Sequence, residues 1–184
     1  MKAVILAGGA SSRFWPLNQR HKSLFKIMDR PIIFYTILAL KKAGIKKIII
    51  VEGKKKDIEK ELKNYPISGV SLKFIVQKKP KGMGDALWQA KDFVSKKFLV
   101  LNAERVDVDE IIKGWKGKVS SSKGIIAGQE TENPSLFGIM KLKVERIVEI
   151  VEKPKKEKAP SKIKVVGVYP VSYTHLTLPT TERV

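Results

Sequence analysis

Gly8 and Gly9 directly follow the apolar run Ala3 to Leu6, and two cations, Arg13 and Lys22, come soon after them. Residues without side chains let the main chain approach an anion closely, and amides freed at a strand's end can cradle a phosphate. A guanidinium and an ammonium add charge that amides cannot supply. Leu6-Ala7-Gly8-Gly9 with Arg13 and Lys22 therefore forms a candidate triphosphate site. Alone, a Gly-Gly pair is more often a tight turn; the two cations and Pro16-Leu17 move the reading toward phosphate. The dinucleotide fingerprint Gly-x-Gly-x-x-Gly and the P-loop ending Gly-Lys-Ser/Thr are both absent.

Three later stretches carry polar groups at places where an apolar run ends. Gln77 precedes Gly82 and Gly84; a glutamine both donates to and accepts from a base edge, and the glycines leave room for a ligand. Asn102-Ala103-Glu104 closes the run Phe98 to Leu101, with Asp107 and Asp109 just beyond, whose plainer roles are helix capping or surface charge. Glu152-Lys153-Pro154 ends an alternation of Ile and Val against Glu, with Phe137-Gly138 ahead of it. Taken singly, each also reads as an ordinary surface turn or strand end.

The elements that must position these groups alternate. Lys2 to Ala7, Lys47 to Val51, Ser71 to Val76 and Phe98 to Leu101 read as strands, and Pro31 to Ala43, Lys55 to Asn64 and Met83 to Ser95 carry helical spacing. Such a series predicts an α/β fold: a Rossmann-like, mixed but mostly parallel sheet with helices on both faces, its ligands beyond the strands' carboxyl ends. After Asn102, the stretches Gly124 to Gly128, Leu136 to Leu142, Arg146 to Val151 and Ile163 to Val171 read as strands of a mixed sheet.

Together, these residues resemble the sugar-1-phosphate nucleotidylyltransferases, whose opening signature is Leu-Ala-Gly-Gly-x-Gly-x-Arg-x-x-Pro-Leu. Ser11 stands at the third glycine, His21-Lys22-Ser23-Leu24 replaces Pro-Lys-Pro-Leu, and the Arg-to-Lys spacing is one residue short. The serine is also similar to that of the molybdenum-cofactor guanylyltransferases, while Pro16-Leu17 favours the sugar enzymes. The resemblance implies a nucleotide-diphospho-sugar transferase fold and transfer of a nucleoside monophosphate from an NTP to a sugar 1-phosphate. It gives Arg13 and Lys22 the triphosphate, Gln77 and Gly82 the base, and Glu104 a Mg²⁺ ion in place of the family's aspartate, with Asp107 and Asp109 as nearby substitutes. Gly138, Glu152 and Lys153 match the positions that seat the sugar phosphate. The family's second, downstream metal carboxylate has no counterpart here.

Composition frames this reading without deciding it. The chain has 184 residues, 43% hydrophobic, which suits a packed core, and no cysteine, which excludes disulfides and thiolate metal sites. The expected partners are an NTP and a sugar 1-phosphate, with no membrane and a cytoplasmic setting; a homo-oligomer is compatible with the composition. Net charge is +19, yet the lysines are spread over element ends with few arginines or interleaved aromatics, so a nucleic-acid partner is not expected. A non-catalytic nucleotide-sugar-binding regulator is a further alternative to an enzyme, and a basic nucleic-acid-binding protein a more remote one. The nucleotidyltransferase domain is expected over residues 1–171, incomplete at its C-terminal end. The segment 172–184 lacks the chain's lysine richness and pattern and reads as foreign or frameshifted sequence, so His175 is given no role.

Overall fold

The structure is a computed structural model that describes residues 1–9, 11, 16, 19–79, 81–94, 97–115, 125–144 and 146–172. Arg13 and the segment from 173 onward lie outside the described residues. The described residues form β1 (Lys2–Ala7), β2 (Lys26–Ile27), β3 (Arg30–Pro31), α1 (Ile32–Lys42), β4 (Lys47–Gly53), α2 (Asp57–Leu62), β5 (Ser71–Gln77) and α3 (Met83–Gln89). There follow β6 (Lys97–Asn102), α4 (Val108–Gly114), β7 (Gly128–Glu130), β8 (Gly138–Lys143), β9 (Arg146–Glu152), β10 (Ile163–Val165) and β11 (Val168–Ser172).

A sheet ordered β11-β6-β1-β4-β5 is parallel except for β11, which runs antiparallel to β6. Its inner strands are continuous apolar runs because both of their faces are covered. Val4, Ile49, Val51, Phe98 and Val100 share one face with Ala86 of α3 and Ala90. The opposite face carries Ala3, Ile5, Ile48, Ile50, Leu99 and Leu101, each nearly inaccessible to solvent. Burying a side chain of this size is worth ~1.5–3 kcal/mol, so this double-faced core dominates the stability of the sheet. In α1, Ile33, Ile37 and Leu40 recur at helical spacing and are fully buried, and the helix ends with Lys41 and Lys42, cations that suit its negative terminus.

The chain clusters into two compact units, one of residues 1–124 with 168–184, the other Ile125–Gly167. The second unit holds an antiparallel sheet ordered β7-β10-β8-β9. No helix among the described residues is long and apolar enough to cross a membrane.

Several expected boundaries shift. The helix expected from Met83 to Ser95 stops at Gln89 and tightens into a 3-10 turn, Lys91–Phe93. The chain must return to the sheet at Lys97, and Lys2 Nζ donates 2.6 Å to Phe93 O, holding that turn against β1. The run Ile163 to Val171 is two strands, because Gly167 at φ +70° breaks it and sends the halves into different sheets. The strand expected from Gly124 begins only at Gly128. Unanticipated were α4, too short for its spacing to register, and the β2–β3 hairpin, whose turn residues Met28 and Asp29 take positive φ without a glycine.

Candidate functional site

The registers bring the carboxyl ends of the parallel strands together. Ala7 lies beside Glu52, Gly53 beside Gln77, and Leu6 beside Asn102. Leu6 packs against the core face that α3 covers and Ala7 is buried, so these two contribute backbone where the chain turns into Gly8 and Gly9.

Gln77, although expected to meet a base edge, is itself buried. Its Nε2 donates to Asp85 Oδ2 at 2.6 Å and to Gly82 O at 3.4 Å. An ionised carboxylate only accepts, so Asp85 fixes the amide with its nitrogen toward α3 and its oxygen toward Gly8. A Cβ on Gly8 would collide with that oxygen. Gly82, with φ +98°, precedes α3 in a conformation that L side chains rarely adopt. Gly8, Gln77 and Gly82 thus form one group, joined by Asp85, which the sequence reading missed. Its only sequence signal was a carboxylate in the first turn of a helix opened by glycine. Gly8→Ala should weaken nucleotide binding about tenfold by dislodging Gln77, with stability changed by less than ~1 kcal/mol because the colliding atom ends a flexible chain. Calorimetric titration and thermal melts of the variant check both halves.

Lys22 begins a 3-10 turn, Lys22–Leu24, and its Nζ forms an ion pair with Glu104 Oε1 across 82 positions of sequence. Glu104 stands two positions beyond Asn102, which lies beside Leu6 of β1 at the carboxyl ends of the two strands. Thr36 Oγ1, fully buried, donates 2.9 Å to Ala103 O and pins this strand end to α1. His21 flanks Lys22; its Nδ1 accepts from the Ser23 N–H at 3.2 Å, and burial lowers its pKa below the ordinary imidazole value. A cleft of about 240 Å³ borders these elements, lined among others by Gly8, Gly9, His21, Glu52 and Lys54 to Lys56.

Among the described residues no group of three or more His, Cys, Asp or Glu side chains could hold a metal ion. Asp107 pairs with Arg105, as Glu104 does with Lys22, and the buried Asp109 meets Lys42 Nζ at 2.8 Å, which lowers the pKa of Asp109. Glu104 is partly exposed, its side chain 32% accessible. One such carboxylate fits Mg²⁺, which is usually held by one or two carboxylates plus substrate phosphates and waters.

Glu52 Oε2 accepts from the N–H groups of Ile58 and Glu59, 3.1 and 3.2 Å away, at the start of α2. Burial raises its pKa above the ordinary 4.5, against the lowering by those two bonds. The folded state therefore keeps this proton to higher pH than the unfolded chain. The contribution of Glu52 to stability is full below 4.5 and is lost as pH rises through the raised value. Thermal melts from pH 4.5 to 8 should show this decline, and Glu52→Gln should remove it.

Within the second unit, Gly138 and Glu152 pair directly across β8 and β9. A Cβ on Gly138 would stand 3.0 Å from Glu152 Oε2, so glycine preserves space above that carboxylate. Lys153, at φ +46°, donates its N–H to Phe137 O at 2.9 Å, and its Nζ lies 3.6 Å from Glu152 Oε1. The three residues expected to seat a sugar phosphate are thus adjacent, with both charged groups exposed.

A family model described as nucleotidyl transferase matches residues 2–174. The low-salt glycan biosynthesis nucleotidyltransferase Agl11 of Haloferax volcanii is 32% identical over 178 residues, covering 92% of this chain and 48% of that protein. The UTP–glucose-1-phosphate uridylyltransferase of Bacillus subtilis is 31% identical over 202 residues, covering 91% and 69%. Among solved structures, a Bacillus anthracis protein assigned as a glucose-1-phosphate thymidylyltransferase superposes with a TM-score of 0.84 at 27% identity, covering all of this chain and 76% of that one. The chain spans about half or less of the first curated relatives it matches, 48% of Agl11 and 39% of a Methanococcus maripaludis bifunctional protein GlmU.

Proposed function

Because the chain belongs to the nucleotidyl transferase family, we propose that it transfers a nucleoside monophosphate from an NTP to a sugar 1-phosphate and releases pyrophosphate. The observation that carries this reading is the convergence, across 82 positions of sequence, of Lys22 in its 3-10 turn with Glu104 just beyond the end of β6. That arrangement offers a cation for phosphate oxygens and a carboxylate for a metal ion within one charge-balanced group.

In the forward reaction a sugar-phosphate oxygen attacks the α-phosphorus of the NTP, and the bond to the bridging oxygen of pyrophosphate breaks. The attacking oxygen is already ionised at neutral pH, so no general base is required; positioning and charge compensation carry the catalysis. Lys22, with Arg13 assigned from the signature, binds the triphosphate and offsets the charge that builds on the leaving pyrophosphate. Gln77 and Gly82 hold the base, while Glu152, Lys153 and Gly138 seat the sugar phosphate. Glu104 is one ligand for Mg²⁺, which when bound supplies further charge compensation at the phosphates. We place the reaction in the cytoplasm, where both substrates are soluble anions.

The test is pyrophosphate release across a panel of NTPs and sugar 1-phosphates. One dominant pair of substrates is the expected result. Tight nucleotide binding with no turnover of any pair would replace the enzyme by a sensor of the same ligands.

A further inference from the structure

Ser11 occupies the left-handed region, with φ +52°, and its Oγ accepts the backbone N–H of Lys22 at 3.0 Å. A left-handed backbone is unfavourable for an L-residue and persists where surrounding contacts impose it; such outliers concentrate where the strained geometry is used. Glycine would take this φ without cost, but glycine has no hydroxyl to offer Lys22. Serine here therefore retains strain and gains a bond. That bond closes the loop between the Gly8-Gly9 turn and the cation across 11 positions of sequence.

The turn that carries Lys22 is anchored by its own neighbours, the buried Ser23 and Leu24, with the Leu24 N–H on His21 O at 2.9 Å. The Lys22 carbonyl accepts the Phe25 N–H at 3.2 Å inside a single 3-10 turn, and its ammonium is partly exposed where it meets Glu104. Among the described residues, the hydrogen bonds within that turn do not tie it to the segment after Gly9. The Ser11 bond does, because Ser11 lies two residues beyond Gly9.

We infer that Ser11 is a positioning residue for Lys22, its hydroxyl fixing the lysine's backbone so that the ammonium is delivered to the outer phosphates of a bound triphosphate. The inference rests on the proposed role of Lys22. It accounts for one departure from the family signature, a serine where glycine is usual. A group acting through Lys22 affects a ligand in proportion to the phosphates that the ammonium can reach. A nucleoside monophosphate, which lacks the outer phosphates, should not register it.

The experiment is calorimetry on the whole chain with UTP, UMP and inorganic tripolyphosphate. The parent, Ser11→Gly, Lys22→Ala and the double variant are compared. Ser11→Gly relieves the strained φ, so it should melt no lower than the parent. It should nevertheless bind UTP and tripolyphosphate about three- to tenfold more weakly, the worth of one lost hydrogen bond, and bind UMP within about twofold of the parent. In the Lys22→Ala background the same substitution should change UTP affinity by less than about twofold.

Unchanged UTP and tripolyphosphate affinity in Ser11→Gly, an equal loss for UMP, or a loss that persists without the Lys22 side chain would overturn the inference alone. A parent chain that binds neither UTP nor tripolyphosphate would overturn the proposed function as well.

Discussion

Replacing Lys22 by alanine should lower kcat/KM for pyrophosphate release by ~10²- to 10³-fold while leaving the melting temperature almost unchanged. The two effects separate because the ammonium has different value in the two settings. In the free protein it meets a carboxylate with both groups about one-third exposed, and an ion pair so hydrated contributes ~0–1 kcal/mol. With substrate bound, water is displaced and negative charge accumulates on the departing pyrophosphate. Removing one preorganised donor from such a place typically costs two to three powers of ten in turnover. Glu104 left alone can hydrate, so the fold does not suffer. Steady-state kinetics with parallel thermal melts decide the matter: a variant keeping more than about a tenth of the parent kcat/KM would remove Lys22 from the chemistry.

Phe98→Ala should be the most destabilising single truncation in the sheet, by ~3–5 kcal/mol. Phe98 is fully buried on β6 and packs in the cluster of Val4, Ile49, Val51 and Val100 beneath Ala86 and Ala90. Its neighbours are strand residues locked in ladders on both sides, Lys2 of β1 and Val171 of β11, so the cavity cannot readily collapse. For a chain of this size the loss corresponds to a fall of roughly 10 °C in melting temperature. Denaturant titration measures it directly, and a loss under ~1.5 kcal/mol would mean that the core repacks around the gap. Nucleotide affinity well below the transition should be nearly unaffected, since Phe98 stands at the opposite end of β6 from Asn102 and Glu104.

The parallel half of the fold was legible because its strands are buried on both faces and therefore uninterrupted, and because each polar cluster stands where such a run stops. Lys22 and Glu104 could be named from their surroundings in sequence. Their pairing could not, since it is a tertiary contact across 82 positions of sequence. The same limit hid Asp85. Its importance comes from being an acceptor-only group beside the Gln77 amide, a relation set by how α3 returns over β5. Conversely, that Arg105 faces Asp107 and Lys42 faces Asp109 could not be read from the sequence. The run Ile163 to Val171 misled because one glycine divides strands of similar composition that belong to different sheets.

The late arrival of β11 sets the order in which the chain can complete itself. β6 gains its partner β1 early, but its other flank waits until residues 168–172 have been synthesised, after the whole Ile125–Gly167 unit has passed. During that interval Phe98, Leu99, Val100 and Leu101 form a strand with one open edge, the kind of template on which chains associate wrongly. A long excursion adds little to the entropy of closure, about 0.6 kcal/mol for each doubling of its length. Its cost is measured in time rather than in free energy. Substitutions that slow the folding of the second unit should therefore lower the yield of soluble protein while leaving the melting behaviour of the finished molecule largely as it was.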